Sequence, residues 1–200
     1  MQSWVITAGW GPRHEAYLDC RNRLRLHLGG LSSLGDPFRC WYKQGNEPLG
    51  RRPVEVDSNT ALDLLLESAI QYKDDAQSPC PELGYSITLW NGDISRCSVT
   101  TSIIVSSTSK FCNNNVNVVI SSHDTSYVLP EGVVISAFRH VISSWSPEFG
   151  SVVVSQFTGE DFLDREIAKF LRKRDGQRAT NQYEEFSNGV LWMHNTDGTV

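Results

Sequence analysis

Hydrophobic positions recur at more than one period along this chain, and each change of period marks the edge of an element. Tyr17, Cys20, Leu24, Leu28 and Leu31 fall at helical spacing, and Asp19 lies four residues before Arg23, so a helix with one apolar stripe is expected there. Pro12 with Glu15 behind it marks its start, and Gly29-Gly30 supplies its stop. A short strand over Trp4 to Thr7 precedes it. A second stripe, Leu62, Leu65, Leu66, Ala69 and Ile70, follows the capping run Asp57-Ser58-Asn59 and ends near Lys73-Asp74-Asp75. Between the two helices, residues 31–56 are rich in Gly, Pro and charge. An aromatic island at Phe38, Trp41 and Tyr42 anchors this loop and makes it a candidate working surface.

From Gly84 the period drops to two. Tyr85, Ile87 and Leu89 alternate with Ser86, Thr88 and Trp90, Asn91-Gly92 has the composition of a tight hairpin turn, and Cys97, Val99, Thr101, Ile103 and Val105 line the returning strand. A turn at Asn113-Asn114-Asn115 leads to a third strand carrying Val116, Val118 and Ile120. Val134, Ala137, Phe138, Val141, Ile142 and Trp145, behind Pro130-Glu131, return to helical spacing. Ser151 to Phe157 reads as a strand. Thr158 to Asp161 resembles a capping box ahead of a final helix through Leu163, Ile167, Phe170 and Leu171, residues 175–188 are polar and loose, and Val190 to Met193 adds a last strand. The expected fold class is α+β: a mainly antiparallel sheet built on a central meander, with helices packed on it, in a single domain over residues 1–200.

Composition bounds the function. The 200 residues are 40% hydrophobic and carry a formal charge of −5, and no apolar run approaches the roughly 20 residues that cross a bilayer. Met1 to Ile6 shows no basic, apolar leader, so a cytoplasmic protein is expected. Five cysteines without a Cys-x-x-Cys pair fit small buried hydrophobes better than disulfides or a zinc ribbon. Charge is uneven: residues 1–52 hold eight Lys/Arg against four Asp/Glu, whereas residues 53–164 hold four against fourteen. Such a middle segment is either a solvated acidic surface or one attracted to a basic protein.

The common catalytic patterns are missing. No Gly-x-Ser-x-Gly elbow, His-Glu-x-x-His motif, Walker loop or dinucleotide fingerprint occurs, and the five histidines are scattered. Asp74-Asp75 is the most suggestive acidic pair, but adjacent carboxylates diverge and no third ligand is evident. Arg21, Arg23 and Arg25 step around their helix and are better read as solvated or ion-paired than as a nucleic-acid patch. No catalytic residues, metal, cofactor, nucleic acid, membrane or small-molecule substrate are expected.

What remains is an ordered series of short motifs: Gly9-Trp10-Gly11-Pro12-Arg13-His14-Glu15, Trp41-Tyr42-Lys43-Gln44-Gly45, Arg52-Pro53-Val54, Lys73-Asp74-Asp75, Glu82-Leu83-Gly84-Tyr85-Ser86, Leu89-Trp90-Asn91-Gly92 and Trp145-Ser146-Pro147. In this order, over about residues 1–157, they resemble family fifty-two of the immunity proteins of bacterial polymorphic toxin systems. Where the family pattern carries Gly-x-Ser-Arg after the Trp-Tyr pair, this chain has Gly45-Asn46-Glu47-Pro48, so no contact of that Ser-Arg is carried over. The resemblance implies an α+β protein without catalysis. Its partner would be a secreted toxin, typically a nuclease of restriction-endonuclease type, often delivered by type VI secretion. Candidate toxin contacts are Trp41, Tyr42, Lys43 and Gln44, the acidic loop at Asp74 and Asp75, and the hairpin tip from Asn91 to Asp93, with core packing as the competing role for Trp41 and Trp90. The alternative is a small enzyme that modifies the toxin or another substrate through a site assembled from distant residues.

Overall fold

A computed structural model describes residues 3–43, 52–72, 79–93, 95–110, 112–124, 126–155, 184–186 and 190–194. Its strands are β1 (Ser3–Trp10), β2 (Tyr42–Lys43), β3 (Tyr85–Trp90), β4 (Cys97–Val105), β5 (Asn114–Ser122), β6 (Phe149–Ser155), β7 (Glu184–Phe186) and β8 (Val190–His194); its helices are α1 (Tyr17–Ser32), α2 (Asn59–Glu67) and α3 (Glu131–Trp145). The strands form one sheet in the order β2-β3-β4-β5-β1-β6-β8-β7, with every neighbouring pair antiparallel. The α+β class and the β3-β4-β5 meander stand as expected. The short opening strand is instead a full-length one at the middle of the sheet, because Val5, Ile6, Thr7 and Ala8 are buried on both faces between β5 and β6.

Pleating separates two kinds of row. Ile87, Ile103, Val116, Ala8 and Gly150 stand side by side across five strands, and the next row is Thr88, Ser102, Asn117, Thr7 and Ser151. The apolar row faces the helices: α3 packs over β1 and β6, α2 meets β3, and α1 lies against both other helices. Gly150 lets α3 come close, since a Cβ there would stand 2.7 Å from Ile142 and 2.9 Å from the Phe138 ring.

Several boundaries moved for physical reasons. Residues 11–16 are not helical and α1 begins at Tyr17, because Arg13 and Glu15 are tied to Ser107, Ser106 and Trp145 by hydrogen bonds. Gly29-Gly30 lies inside α1 rather than ending it; a Cβ on Gly30 would meet the His140 ring at 2.7 Å, so the glycine marks the crossing with α3. α2 stops at Glu67, and Ile70 leaves its stripe to bridge Tyr85 at the sheet edge. The Ser58 hydroxyl caps α2 as expected, accepting from the Ala61 amide at 3.3 Å. α3 spans the expected stripe, while β6 begins earlier than read, at Phe149. Within the run expected to be loose, Glu184–Phe186 pairs with β8. The final helix expected through Leu163 to Leu171 lies outside the described residues.

Among the described residues, no helix is long and apolar enough to cross a membrane. All five cysteines are free, and Cys20, Cys80 and Cys97 are buried. Burial pushes the Cys20 thiol up to about 12, with Glu15 and Asp19 adding to it, and the Cys97 thiol up to about 11. Both therefore stay protonated and behave as small hydrophobes.

Candidate functional site

Two of the three regions singled out in the sequence meet at one edge of the sheet. β2 pairs with the end of β3, setting Tyr42 opposite Trp90 and Lys43 opposite Leu89. The Tyr42 and Trp90 rings lie 6.5 Å apart at 55°, both half-buried. Six positions separate the end of β3 from the start of β4, so the connection is longer than the two-residue hairpin expected at Asn91-Gly92.

Asn91 explains that length. Its Nδ2 donates to the Pro37 and Cys97 carbonyls at 3.0 and 2.8 Å, while Oδ1 accepts from the Asp93 and Val99 amides at 3.2 and 3.0 Å. The side chain thus replaces a backbone ladder at the strand end. Asp93 continues the pattern, its Oδ1 accepting from the Ser95 amide, the Ser95 hydroxyl and the Arg96 amide at 2.8, 2.9 and 3.1 Å. The Arg96 and Ser95 amides and the Ser95 hydroxyl hold its carboxyl down to about 2, so Asp93 is a fixed negative charge at any physiological pH. Gly92, at φ +80°, lies under Tyr42, with 2.9 Å from an added Cβ to the ring. Tyr42, Trp90, Asn91, Gly92, Asp93 and Ser95 line a shallow open groove of about 520 Å3.

The other candidates fall differently. Trp41 is buried in the core at 1% exposure beside Phe38, donates its indole N–H to Ser32 at 3.2 Å, and offers its carbonyl to the Val54 amide at 2.7 Å. It anchors the loop from beneath and presents no contact surface. Lys43 is exposed, but alternation turns it to the sheet face opposite Tyr42. Gln44, Asp74 and Asp75 lie outside the described residues. Ser95 was missed, and Trp90, weighed between core packing and a contact, is half-buried on the side of Ser86 and Thr88, where a large aromatic is out of place on a solvated face.

The first and last quoted motifs do something else. The Trp10 and Trp145 rings stack at 5.8 Å, and the Arg13 guanidinium lies 5.2 Å above Trp10. Buried Glu15 is clamped by Arg13 and by Arg23, whose Nε stands 3.2 Å from Oε2. Arg23 thus serves Glu15 rather than the expected Asp19, and its other nitrogen donates to the Ser144 carbonyl at 3.0 Å. Arg21 pairs with Asp63 at 3.0 Å and Arg25 with Asn59. The arginines of α1 are therefore tied between elements, as their dispersed spacing suggested. Among the described residues, no three His, Cys, Asp or Glu side chains are grouped to hold a metal ion.

Motif order, an antiparallel α+β sheet, and motif residues gathered at the β1-α1-α3 junction and at the β2-β3 edge describe a shared architecture. The model of the family Immunity protein 52 matches residues 2–169. The chain belongs to that family. No curated protein matches it. Membership makes it an immunity protein of a toxin system, with a cognate toxin as its implied partner. The matched stretch extends past residue 157, where the motif resemblance stopped, and takes in every motif quoted above.

Proposed function

We propose that this immunity protein neutralises its toxin by stoichiometric occlusion, without chemistry, and that the toxin is a nuclease of restriction-endonuclease type delivered by type VI or a related secretion route. Family membership carries the reading. The β2-β3 edge groove and the acidic balance of residues 53–164 support it, because a nuclease holds an anionic backbone on a basic face that an acidic protein can cover. An interface of about 1,600 Å2 would suffice for nanomolar binding. The edge residues Tyr42, Asn91 and Asp93, and the acidic pair Asp74 and Asp75, are the proposed contacts. Neutralisation takes place in the cytoplasm, where the nucleic acid is.

Titration decides the mechanism. The cognate toxin domain is incubated with increasing amounts of the protein and its nuclease activity is followed. Occlusion gives a sharp endpoint near one protein per toxin, whereas complete protection at a small fraction of that ratio would show an enzyme and overturn the proposal. In the same assay, reversing Asp74 and Asp75 to Lys is expected to weaken protection while leaving the melting temperature in place.

A further inference from the structure

α1 lies between α2 and α3 in the helix layer, and each helix buries one face in the common core. The outer side of that layer is not wholly polar. On α1, Leu18 is 56% exposed and Leu26 61%, with exposed Asn22 midway between them, and on α2 Leu64 is 62% exposed. These are the exposed large hydrophobics among the described helical residues. Neither helix needs them for its own packing: Cys20, Leu24, Leu28 and Leu31 supply α1 with a buried stripe, and Leu64 points away from the core-facing Leu62, Leu65 and Leu66 of α2.

Leu18, Asn22 and Leu26 stand four residues apart and form one ridge along α1. That ridge is symmetric about Asn22, since read from either end it is leucine, asparagine, leucine. A two-fold axis at Asn22 therefore lays Leu18 of one chain beside Leu26 of a second, antiparallel chain and brings the two Asn22 amides together, each with a donor and an acceptor for the other. Ridges of this spacing interdigitate in the commonest class of helix crossing. Charge agrees with the same axis. Asp19 and Arg25 lie three residues to either side of Asn22, so reversal sets Asp19 at the level of the second copy's Arg25, where a parallel arrangement would set like charge beside like. A basic toxin surface, by contrast, finds no carboxylate in the ridge itself. We propose that this face is the interface of a two-fold homodimer, centred on Asn22 of α1 and widened by Leu64 of α2. Its apolar part is small beside the roughly 800 Å2 per partner of a standard interface, and each copy carries a formal charge of −5, so association falls in the micromolar range.

Sedimentation equilibrium of the full chain without toxin, from low to high micromolar concentration, is expected to show monomer passing into dimer. Leu26→Glu changes a side chain that is exposed in the monomer, so it should leave the melting temperature in place and weaken dimerisation at least about tenfold. Leu18→Glu should do the same and serves as the second variant should the first fold poorly. Asn22→Asp, nearly equal in shape, faces two carboxylates across the axis and should also cost at least about tenfold. A wild-type protein that stays monomeric throughout, or a dimer unmoved by both leucine variants, would overturn the interface. A dimer weakened by the leucine variants but indifferent to Asn22→Asp would overturn its symmetry axis. If the wild type is monomeric and Leu26→Glu instead weakens toxin binding, the face belongs to the toxin and the homodimer falls.

Discussion

His27 shows how strongly a single side chain can be set by its surroundings. It is fully buried between α1, β4 and α3, its Nε2 lies 3.0 Å from the Thr101 hydroxyl, and its ring meets Trp145 edge-on at 5.9 Å. Burial, with His140 adding repulsion, pushes its pKa down to about 3. The Nε2–H tautomer fits best, because it donates to Thr101 and leaves only an acceptor at Nδ1 without a partner. The unfolded chain takes up a proton near pH 6.5 that the folded protein refuses, so stability is full above that pH and declines as pH falls toward 3. The slope is about 1.4 kcal/mol per unit, hence a loss of about 2 kcal/mol between pH 6.5 and 5. Urea melts across that window should show it, and His27→Gln should flatten the profile; an equally steep profile in the variant would exclude His27 as the source. None of this was legible in the sequence, where His27 was one of five scattered histidines. Thr101 and Trp145, which create its environment, are distant in the chain.

Among the elements, local pattern served well for those that depend on their own sequence and less well for those shaped by a neighbour. The stripes of α1, α2 and α3 and the alternation of β3, β4 and β5 were readable because each element buries one face of itself. Gly30 misled because its meaning lies in α3, whereas for Trp41 the core role, one of the two weighed, is the one its burial shows. The β3-β4 turn failed as a two-residue hairpin for a related reason. Asn91 reaches Pro37, far away in sequence, as well as Cys97 and Val99, so a side chain set the geometry. Asn91→Asp is accordingly expected to be far from conservative. It keeps Oδ1 but aims a carboxylate oxygen at the carbonyls of Pro37 and Cys97, for a loss of about 2–3 kcal/mol. Chemical denaturation should show a lower midpoint with an unchanged slope. A midpoint within experimental error of the wild type would mean that backbone pairing alone holds the turn.

For the molecule as a whole, strand order was the least legible property, since the place of β1 between β5 and β6 depends on pairing across more than 100 residues. Motif order fared better: it reached the family without any knowledge of which strands neighbour one another. The site was half legible, because Tyr42, Asn91 and Asp93 were named while the pairing that brings them together was not. Charge is the remaining whole-molecule property, and the fold sharpens it. Arg21 and Arg23 are partly buried in ion pairs with Asp63 and Glu15, whereas Glu55, Asp57, Glu67, Glu82 and Glu131 stand exposed. The arginines of α1 thus neutralise carboxylates and add no basic patch, and at long range the formal charge of −5 is what a partner meets. Long-range attraction of this kind acts on encounter and is screened beyond a Debye length of about 10 Å at 0.1 M salt. With the cognate toxin, the association rate is therefore expected to fall at least about tenfold between 20 and 300 mM salt, on the order seen for steered complexes. Dissociation, governed by short-range contacts, should change far less. Stopped-flow association at several salt concentrations separates the two, and a flat association rate would remove charge steering from the mechanism.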